Sequence, residues 1–191
     1  MPCPAVVPRE RSLDRPCPPA RRTAGVVAPW AVRLRYGYAV AGVCLLLARA
    51  LVRLVPIAVE PIRAGLLGPV EAGVYLAWVV FNAHAEGYRG FQRRFVPRVV
   101  SRALALAQDP SPPPGAVLLA PVYAMALAYA PLRTVLVRWT IVAAIVGLVV
   151  GVRLLGQPWR GIVDGGVVVG LGWGLVALLL VSVRDRPRPA R

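Results

Sequence analysis

Long apolar runs are the feature that most constrains how this chain folds. An α-helix rises about 1.5 Å per residue, so roughly 20 apolar residues cross the hydrocarbon core of a bilayer, which is about 30 Å thick. Four runs here have 22 residues and one has 16, and arginines or prolines separate them. The runs are 38–59, 64–85, 116–131, 135–156 and 162–183. This pattern predicts an all-α, multi-pass transmembrane helical bundle with four to five membrane segments over residues 38–183.

The composition agrees with that prediction. Hydrophobic residues make up 58% of the 191 residues and charged residues only 16%, against about 45–50% and about 25% in ordinary soluble domains. Because both values shift toward membrane proteins, we do not expect a soluble enzyme. The net charge is +15, and every basic residue behind it is an arginine, because the chain contains no lysine.

Both ends of the chain are predicted to be polar tails. Residues 1–37 contain seven arginines, and six prolines precede Ala20. Such a segment buries too little apolar surface to offset the entropy lost on ordering, so we predict a disordered, cytoplasmic, Arg/Pro-rich tail. Residues 184–191 carry four more arginines and are predicted to form a short basic tail on the same side of the membrane.

The distribution of arginine favours four membrane crossings, because positive charge in short loops stays on the cytoplasmic side. If the run 116–131 does not cross, eighteen arginines are cytoplasmic and three, Arg63, Arg153 and Arg160, lie outside. If all five runs cross, the split is fourteen to seven. Hydropathy favours five segments, so both alternatives stay open. We expect four crossings of a bacterial-type inner or plasma membrane, with 116–131 short, re-entrant or tucked against the bundle.

Two arginines stand inside the first apolar run. Arg49 and Arg53 are four residues apart and therefore share one face of a helix. Each costs about 2.5–3.5 kcal/mol near the centre of a membrane helix. That face is expected to meet acidic partners or a watery cavity, or else the segment lies in the interface and its arginines reach out to the headgroups.

Acidic residues stand at suitable depths in two other runs. Glu71 in the second run lies at a depth that matches Arg53, and Asp164 begins the last run on the side of Arg153 and Arg160. We predict that Arg53 pairs with Glu71. The whole predicted intramembrane polar cluster is Arg49, Arg53, Glu71 and Asp164. It is either a polar binding site or an ion-pair network that fixes the helix register.

Small residues recur every four positions in the last two runs. Gly166, Gly170 and Gly174 form one ridge, and Ala143, Gly147 and Gly151 form another. Where side chains are this small, helix backbones approach closely and gain van der Waals contact within lipid. We predict that these positions pack helices together. Two alternatives stay open: the ridges contact each other, or they contact a second copy of the chain.

The stretch Asn82–Ala103 is predicted to be a basic loop after the second helix. It interleaves aromatic residues with five arginines, which are Arg89, Arg93, Arg94, Arg98 and Arg102. Guanidinium groups beside aromatic rings at the cytoplasmic surface suit anionic lipid headgroups, at about 1 kcal/mol per basic residue. A partner protein or a nucleic acid would use the same residue types. We expect lipid headgroups and no nucleic acid.

Counting residues excludes several kinds of enzyme and cofactor site. Three cysteines and one histidine are too few for bis-histidine haem ligation, or for a zinc site of four cysteines or of two cysteines and two histidines. His84 and Glu86 are a candidate acid–base pair, but two positions apart on a helix they point to different sides unless the helix ends at Gly87. The chain lacks GxSxG and HExxH motifs. We therefore expect no enzyme activity, no metal and no cofactor.

These observations predict a small integral membrane protein that works as a non-catalytic accessory or assembly factor, by helix packing within the membrane. Its partners are then the lipid bilayer and another membrane protein or a second copy of the chain. The alternative is a small transporter or channel, in which the polar cluster lines a path for protons or an anion. No motif in the chain indicates a particular substrate.

Overall fold

The chain folds into helices. The computed structural model describes residues 27–113, 115–127 and 132–185, and these contain no β-strand. The helices are α1 (Pro29–Arg63), α2 (Pro69–Asn82), a π-helical segment (Ala83–Phe95), α3 (Val96–Gln108), α4 (Ala120–Ala124), α5 (Leu132–Val152) and α6 (Trp159–Arg184). Three of them, α1, α5 and α6, are long and apolar enough to cross a membrane. The prediction of an all-α membrane protein is confirmed to that extent.

Helix α1 begins well before the apolar run that predicts it. Pro29 occupies its first turn, where a missing N–H group breaks no helical hydrogen bond. Residues 29–37 therefore belong to a helix, rather than to the disordered tail predicted for 1–37. The remaining tail residues up to position 26, and the predicted C-terminal tail beyond Asp185, lie outside the described residues.

Helix α2, the π-helical segment and α3 follow one another without a break from Pro69 to Gln108. The predicted basic loop is therefore helical throughout. In the π-helical segment N–H groups bond to carbonyls five residues earlier, as the Val96 N–H does with the Phe91 carbonyl. These wider turns lead up to Pro97, whose ring in an α-helix would collide with the carbonyl four residues back. Hydropathy alone does not predict one continuous helix from Pro69 to Gln108, because the five arginines of the predicted basic loop interrupt its apolar pattern.

The run 116–131 forms only a short helix within the described residues. Its helical part is the five-residue α4, and residues 128–131 lie outside the described part of the chain. Pro121 of α4 seats against Gly42 of α1, where an added Cβ atom would collide with the proline ring. The buried side chains of this segment are small: Ala116, Ala120, Ala124 and Ala126. The segment is therefore tucked against α1 and α3 as a short element.

The apolar core lies at one end of the bundle, where the N-terminal half of α1 meets α3, α4 and the C-terminal half of α6. Helix α3 is amphipathic, and its buried face is Val96, Val99, Val100, Ala103, Leu106 and Ala107. Helix α1 contributes Tyr36, Ala39, Val40 and Val43, and α6 contributes Ala177 and Leu178. The i, i+3, i+4 spacing of the α3 residues places them on one stripe that faces this core.

Two side chains of α1 join the helix ends around this core. The Tyr36 hydroxyl donates to the carbonyl of Ser182 at 3.3 Å, so the start of α1 lies beside the end of α6. The Arg35 guanidinium donates to the carbonyl of Asp109 at 3.1 Å, directly after α3. The start of α1 and the ends of α3 and α6 therefore share one end of the bundle.

The opposite end joins the end of α1 to α2 and α6. The Tyr75 hydroxyl donates to the carbonyl of Ala58 at 3.1 Å. The Gln157 side-chain amide donates to the Glu60 carboxylate at 2.9 Å, and its carbonyl oxygen accepts from the Gly161 N–H at 3.2 Å. Because Gln157 lies in the turn between α5 and α6, that turn sits beside the end of α1.

The glycine ridge of α6 packs against α2 and the π-helical segment. A Cβ atom added at Gly166 would lie 2.5 Å from Trp78 Nε1 and 2.6 Å from Asn82 Nδ2. At Gly170 it would lie 3.0 Å from the Glu86 carboxylate. The neighbour of this ridge is therefore another helix of the same chain, which neither of the two alternatives anticipates.

The contact between α6 and the π-helical segment uses glycines on both helices. A Cβ atom added at Gly174 would lie 2.5 Å from Phe91 Cδ1, and one added at Gly87 would lie 2.9 Å from Trp173 Cβ. Each helix thus places an aromatic side chain over a glycine of the other. The Trp173 indole N–H also donates to Gln92 Oε1 at 2.7 Å, which satisfies the polar group of that ring.

Substituting alanine in the ridge tests this packing. We expect Gly166→Ala to lower the free energy of unfolding by about 1–3 kcal/mol, because the new methyl group overlaps Trp78 and the buried Asn82. Gly172→Ala on the same helix is the matched control, since nothing lies within 4 Å of its Cβ position. It should gain about 0.5–1 kcal/mol from reduced backbone freedom. Thermal unfolding in detergent measures both, and equal melting temperatures would contradict the packing described here.

Candidate functional site

A cavity of about 270 Å³ lies between α1, the end of α5 and the start of α6. Its apolar wall comes from α1 and α5 and consists of Ala50, Leu54, Ile57, Val149 and Val152. Its polar wall consists of Arg53, Arg153, Arg160 and Asp164. Three arginines and one aspartate therefore line a small space with largely apolar walls, near the end of the bundle where the α5–α6 turn meets α1.

The carboxylate of the cavity belongs to Asp164, which is 8% exposed. Arg160 precedes it by one turn of α6, and Arg160 Nε lies 4.0 Å from Asp164 Oδ2. This Nε atom is buried and has no hydrogen-bond partner. A guanidinium group stays charged at any accessible pH and has only donors. The pair therefore leaves a charged donor unsatisfied at the cavity.

The other two members of the predicted cluster lie outside this cavity. Arg49 is exposed one turn before Arg53. Glu71 stands in the first turn of α2, where the partial positive charge of a helix N-terminus favours a carboxylate. Its side chain turns back over Gly68, with Oε2 2.5 Å from the position of an added Cβ atom. Within the described chain no ion pair of 4.0 Å or less joins Arg53 to Glu71.

Arg153 and Arg160 line the cavity, although the predicted cluster omits them. The sequence contains one usable signal, the i, i+4 spacing that places Arg160 and Asp164 on the same face of a helix. Nothing local predicts that Arg153 shares a cavity with Arg53. That proximity arises because the end of α5 lies across the cavity from residues 50–57 of α1.

Helix α5 packs differently from the other long helices. Only 6% of its most apolar stretch is buried within the protein, against 11% for α1 and 33% for α6. Unlike α1 and α6, it packs closely on none of the other described helices. Two contacts hold it: the Trp139 indole N–H donates to the carbonyl of Leu127 at 3.2 Å, and Val149 and Val152 line the cavity near its C-terminal end.

The small residues of α5 lie on the side that points away from the bundle. At about 100° per residue, Gly147 lies about 160° around the helix from Val149, which faces the cavity. A Cβ atom added at Gly147 or Gly151 would meet no atom within 4 Å. We name Ala143, Gly147 and Gly151 the α5 ridge; all three are exposed. Within the described chain no atom therefore lies close to the two glycines of the α5 ridge, in contrast to the glycine ridge of α6.

A second exposed surface lies on the π-helical segment and the start of α3. Four of the five predicted headgroup arginines are exposed, namely Arg89, Arg93, Arg94 and Arg98. The Arg93 guanidinium lies 5.5 Å from the centre of the Tyr88 ring. Arg102 differs, because its Nε donates to the carbonyl of Tyr123 at 2.9 Å and its guanidinium stacks over that ring at 4.6 Å. Arg102 therefore links α3 to α4, and the exposed basic surface consists of the other four.

His84 and Glu86 have different surroundings. Both lie in the π-helical segment, which continues past Gly87. The His84 ring is exposed and lies 5.9 Å from the ring of Tyr88, whereas Glu86 lies against Gly170 of α6. Among the residues that the structure describes, no three His, Cys, Asp or Glu side chains are placed to hold a metal ion.

No protein-family model, no curated protein and no solved structure matches this chain.

Substituting Asp164 and Glu71 in turn tests which of these two carboxylates stabilises the bundle. Asp164→Ala should lower the free energy of unfolding by about 1–3 kcal/mol, because it removes the one carboxylate among the described residues that lines the cavity beside the buried Nε of Arg160. Glu71→Ala is the matched change and should cost under about 1 kcal/mol, the value of a carboxylate at a helix N-terminus. Thermal unfolding in one detergent compares them. A larger loss in Glu71→Ala would instead support the pairing of Arg53 with Glu71.

Proposed function

We propose that this protein is a non-catalytic accessory or assembly factor that packs the α5 ridge against a transmembrane helix of a partner membrane protein. The observation that carries the proposal is the contrast between two small-residue ridges of the same spacing. Described residues of the chain cover the ridge of α6, and none of them lies within 4 Å of the Cβ positions of Gly147 and Gly151 in the α5 ridge. An uncovered ridge is the surface on which a second helix gains close backbone contact in lipid.

The way α5 is held also supports this role. Besides the Trp139 hydrogen bond, it reaches the rest of the protein through Val149 and Val152 near its C-terminal end, and its long apolar outer side is exposed. Because lipid tails are as apolar as the helices, no hydrophobic driving force brings two helices together in the membrane. Close packing at small residues therefore determines which helix binds. A helix with this surface and little internal packing is free to add to another bundle.

The proposal includes four membrane crossings, with α2 and the π-helical segment as the fourth. Helix α2 starts where α1 ends, and α3 packs on the start of α1, so the segment between them returns along the bundle. Helix α5 ends beside the end of α1 and α6 returns, which brings the end of α6 beside Tyr36. The end that holds the exposed basic surface is then cytoplasmic by the positive-inside rule.

Reporter fusions test this orientation. A reporter that is active only outside the cytoplasm should be silent when fused after Arg191 and active when inserted after Gly156, between α5 and α6. The expected reason is that arginine-rich short segments stay inside. Activity after Arg191, or silence at both positions, would contradict four crossings in this orientation.

The exposed basic surface is proposed to bind anionic headgroups on the cytoplasmic side of a bacterial-type inner membrane. Arg89, Arg93, Arg94 and Arg98 are exposed beside Tyr88, and each basic residue near a charged bilayer contributes about 1 kcal/mol. This surface would set the depth and orientation of the bundle. It leaves the α5 ridge free for a partner.

The transporter alternative has less support from the geometry. A conducting path needs polar groups along the bundle, and the arginine-lined cavity lies near one end. Toward the other end the space between α1, α3 and α6 is filled by apolar side chains such as Val43, Val99 and Leu178, which are fully buried.

A site-specific cross-link tests the proposed docking. A photoreactive amino acid at Ala144, beside the α5 ridge, should give an adduct with one partner protein in native membranes. The same probe at Leu180, which is 67% exposed on α6, should give none. Gly147→Leu should abolish the adduct, because the larger side chain keeps the partner backbone away.

The fold itself should tolerate that change. Nothing lies within 4 Å of the Gly147 Cβ position, so Gly147→Leu should leave the melting temperature unchanged or raise it, since glycine is about 1 kcal/mol less favourable in a helix. Gly172→Leu, which is equally free of neighbours, should keep the adduct. A cross-link between two copies of this chain would replace the partner protein by a homodimer, and the absence of any adduct at Ala144 would refute docking through α5.

A further inference from the structure

The arginine-lined cavity carries an inference that is independent of α5 docking. Its polar wall consists of three arginines and, among the described residues, one acidic residue, Asp164. The carboxylate of Asp164 lies at 4.0 Å from Arg160, and the buried Arg160 Nε has no hydrogen-bond partner. Within the described residues, no ion pair includes Arg53 or Arg153. The lining of the cavity thus has an excess of positive charge and one buried, unsatisfied donor.

Guanidinium groups select a particular ligand chemistry. Their planar N–H donors match the oxygens of phosphate in bidentate pairs, and such hydrogen bonds are shorter and stronger than neutral ones. The first turns of α6 bring Arg160 and Asp164 to the cavity, so the positive end of that helix lies on the same side. A negatively charged ligand with several acceptor oxygens would accept the hydrogen bonds that these arginine donors do not make within the protein.

The place of the cavity in the bundle suits the phosphate of a lipid. Arg160 follows Trp159, which is 51% exposed, and aromatic residues of this kind collect at the level of the headgroups. The remaining wall is apolar, from Leu54 to Val152. A volume of about 270 Å³ is close to the lower limit of small-molecule sites, which start at about 300 Å³. A phosphate group, which takes about the space of two or three waters at about 30 Å³ each, fits this volume with room to spare.

We propose that this cavity binds one phosphate group, held by Arg53, Arg153 and Arg160. Asp164 keeps the Arg160 side chain beside the cavity through their i, i+4 contact. The phosphate belongs either to an anionic phospholipid or to a soluble phosphate, and both present the same oxygens to the three arginines.

Binding to the purified full-length chain in detergent tests the proposal. The probes are phosphatidylglycerol, added to the micelles, and inorganic phosphate at constant ionic strength. Native mass spectrometry counts retained lipid, and thermal shifts against ligand concentration give the affinity of each probe. We expect saturable binding of one phosphate-bearing molecule per chain.

Variants of exposed arginines separate the cavity from the rest of a very basic protein. Arg53→Gln and Arg153→Gln each remove one guanidinium without breaking an ion pair of the described chain, so both should fold. Each should weaken binding by about tenfold, the value of a charge-assisted hydrogen bond. Arg33→Gln removes the same charge from an exposed position near the start of α1 and should leave the affinity unchanged.

The outcomes distinguish the two sources. Retention of phosphatidylglycerol that inorganic phosphate does not displace identifies a lipid site, and binding of inorganic phosphate with no retained lipid identifies a soluble ligand. Competition between the two shows that both reach the same arginines. Absence of saturable binding by either probe would overturn the proposal. So would affinities that are unchanged in both cavity variants or equally weakened in Arg33→Gln.

Discussion

Close backbone contact between α6 and the long helix formed by α2 and the π-helical segment is the interaction on which the rest of the structure depends. Inside a bilayer there is no hydrophobic drive between helices, so stability comes from close packing and from polar groups that find partners. The glycines of α6 allow that approach, and the rings of Trp78, Phe91 and Trp173 fill the contact from both sides. Helix α1 then lies along α6 in the opposite direction, joined by Tyr36 at one end and by the Gln157 turn at the other.

This arrangement leaves α5 in a special position. Helices α1, α2, α3 and α6 pack against one another, whereas α5 is held chiefly by the Trp139 hydrogen bond and by its residues at the cavity. Its two sides consequently face different surroundings. The inner side with Val149 and Val152 closes a cavity, and the outer side presents the α5 ridge. The proposed partner helix and the proposed phosphate would therefore occupy opposite sides of one helix, so neither needs to displace the other.

Arginine has three distinct surroundings in this chain. On the π-helical segment and the start of α3, Arg89, Arg93, Arg94 and Arg98 are exposed. Arg102, further along α3, is instead bound to Tyr123, where it links two helices. Near the end of the bundle where α6 begins, Arg53, Arg153 and Arg160 line a cavity together with Asp164. A count of charges per loop treats all of these arginines alike. Their structural neighbours determine whether each one lies on an exposed surface, links two helices or lines a cavity.

The sequence by itself determined the helical membrane character and the faces of individual helices, because the length of an apolar run and a spacing of four residues are local properties. It was sufficient for α5 and α6, for the two small-residue ridges and for the shared face of Arg160 and Asp164. Only the tertiary structure decided which helices meet. In the tertiary structure Glu71 lies over Gly68, and Arg53 and Arg153 line the same cavity. The glycine ridge of α6 is covered, whereas the glycines of the α5 ridge are exposed. The basic stretch after Asn82 is helical. These outcomes depend on contacts between residues far apart in the chain, such as Gly87 with Trp173, and no local period records such contacts.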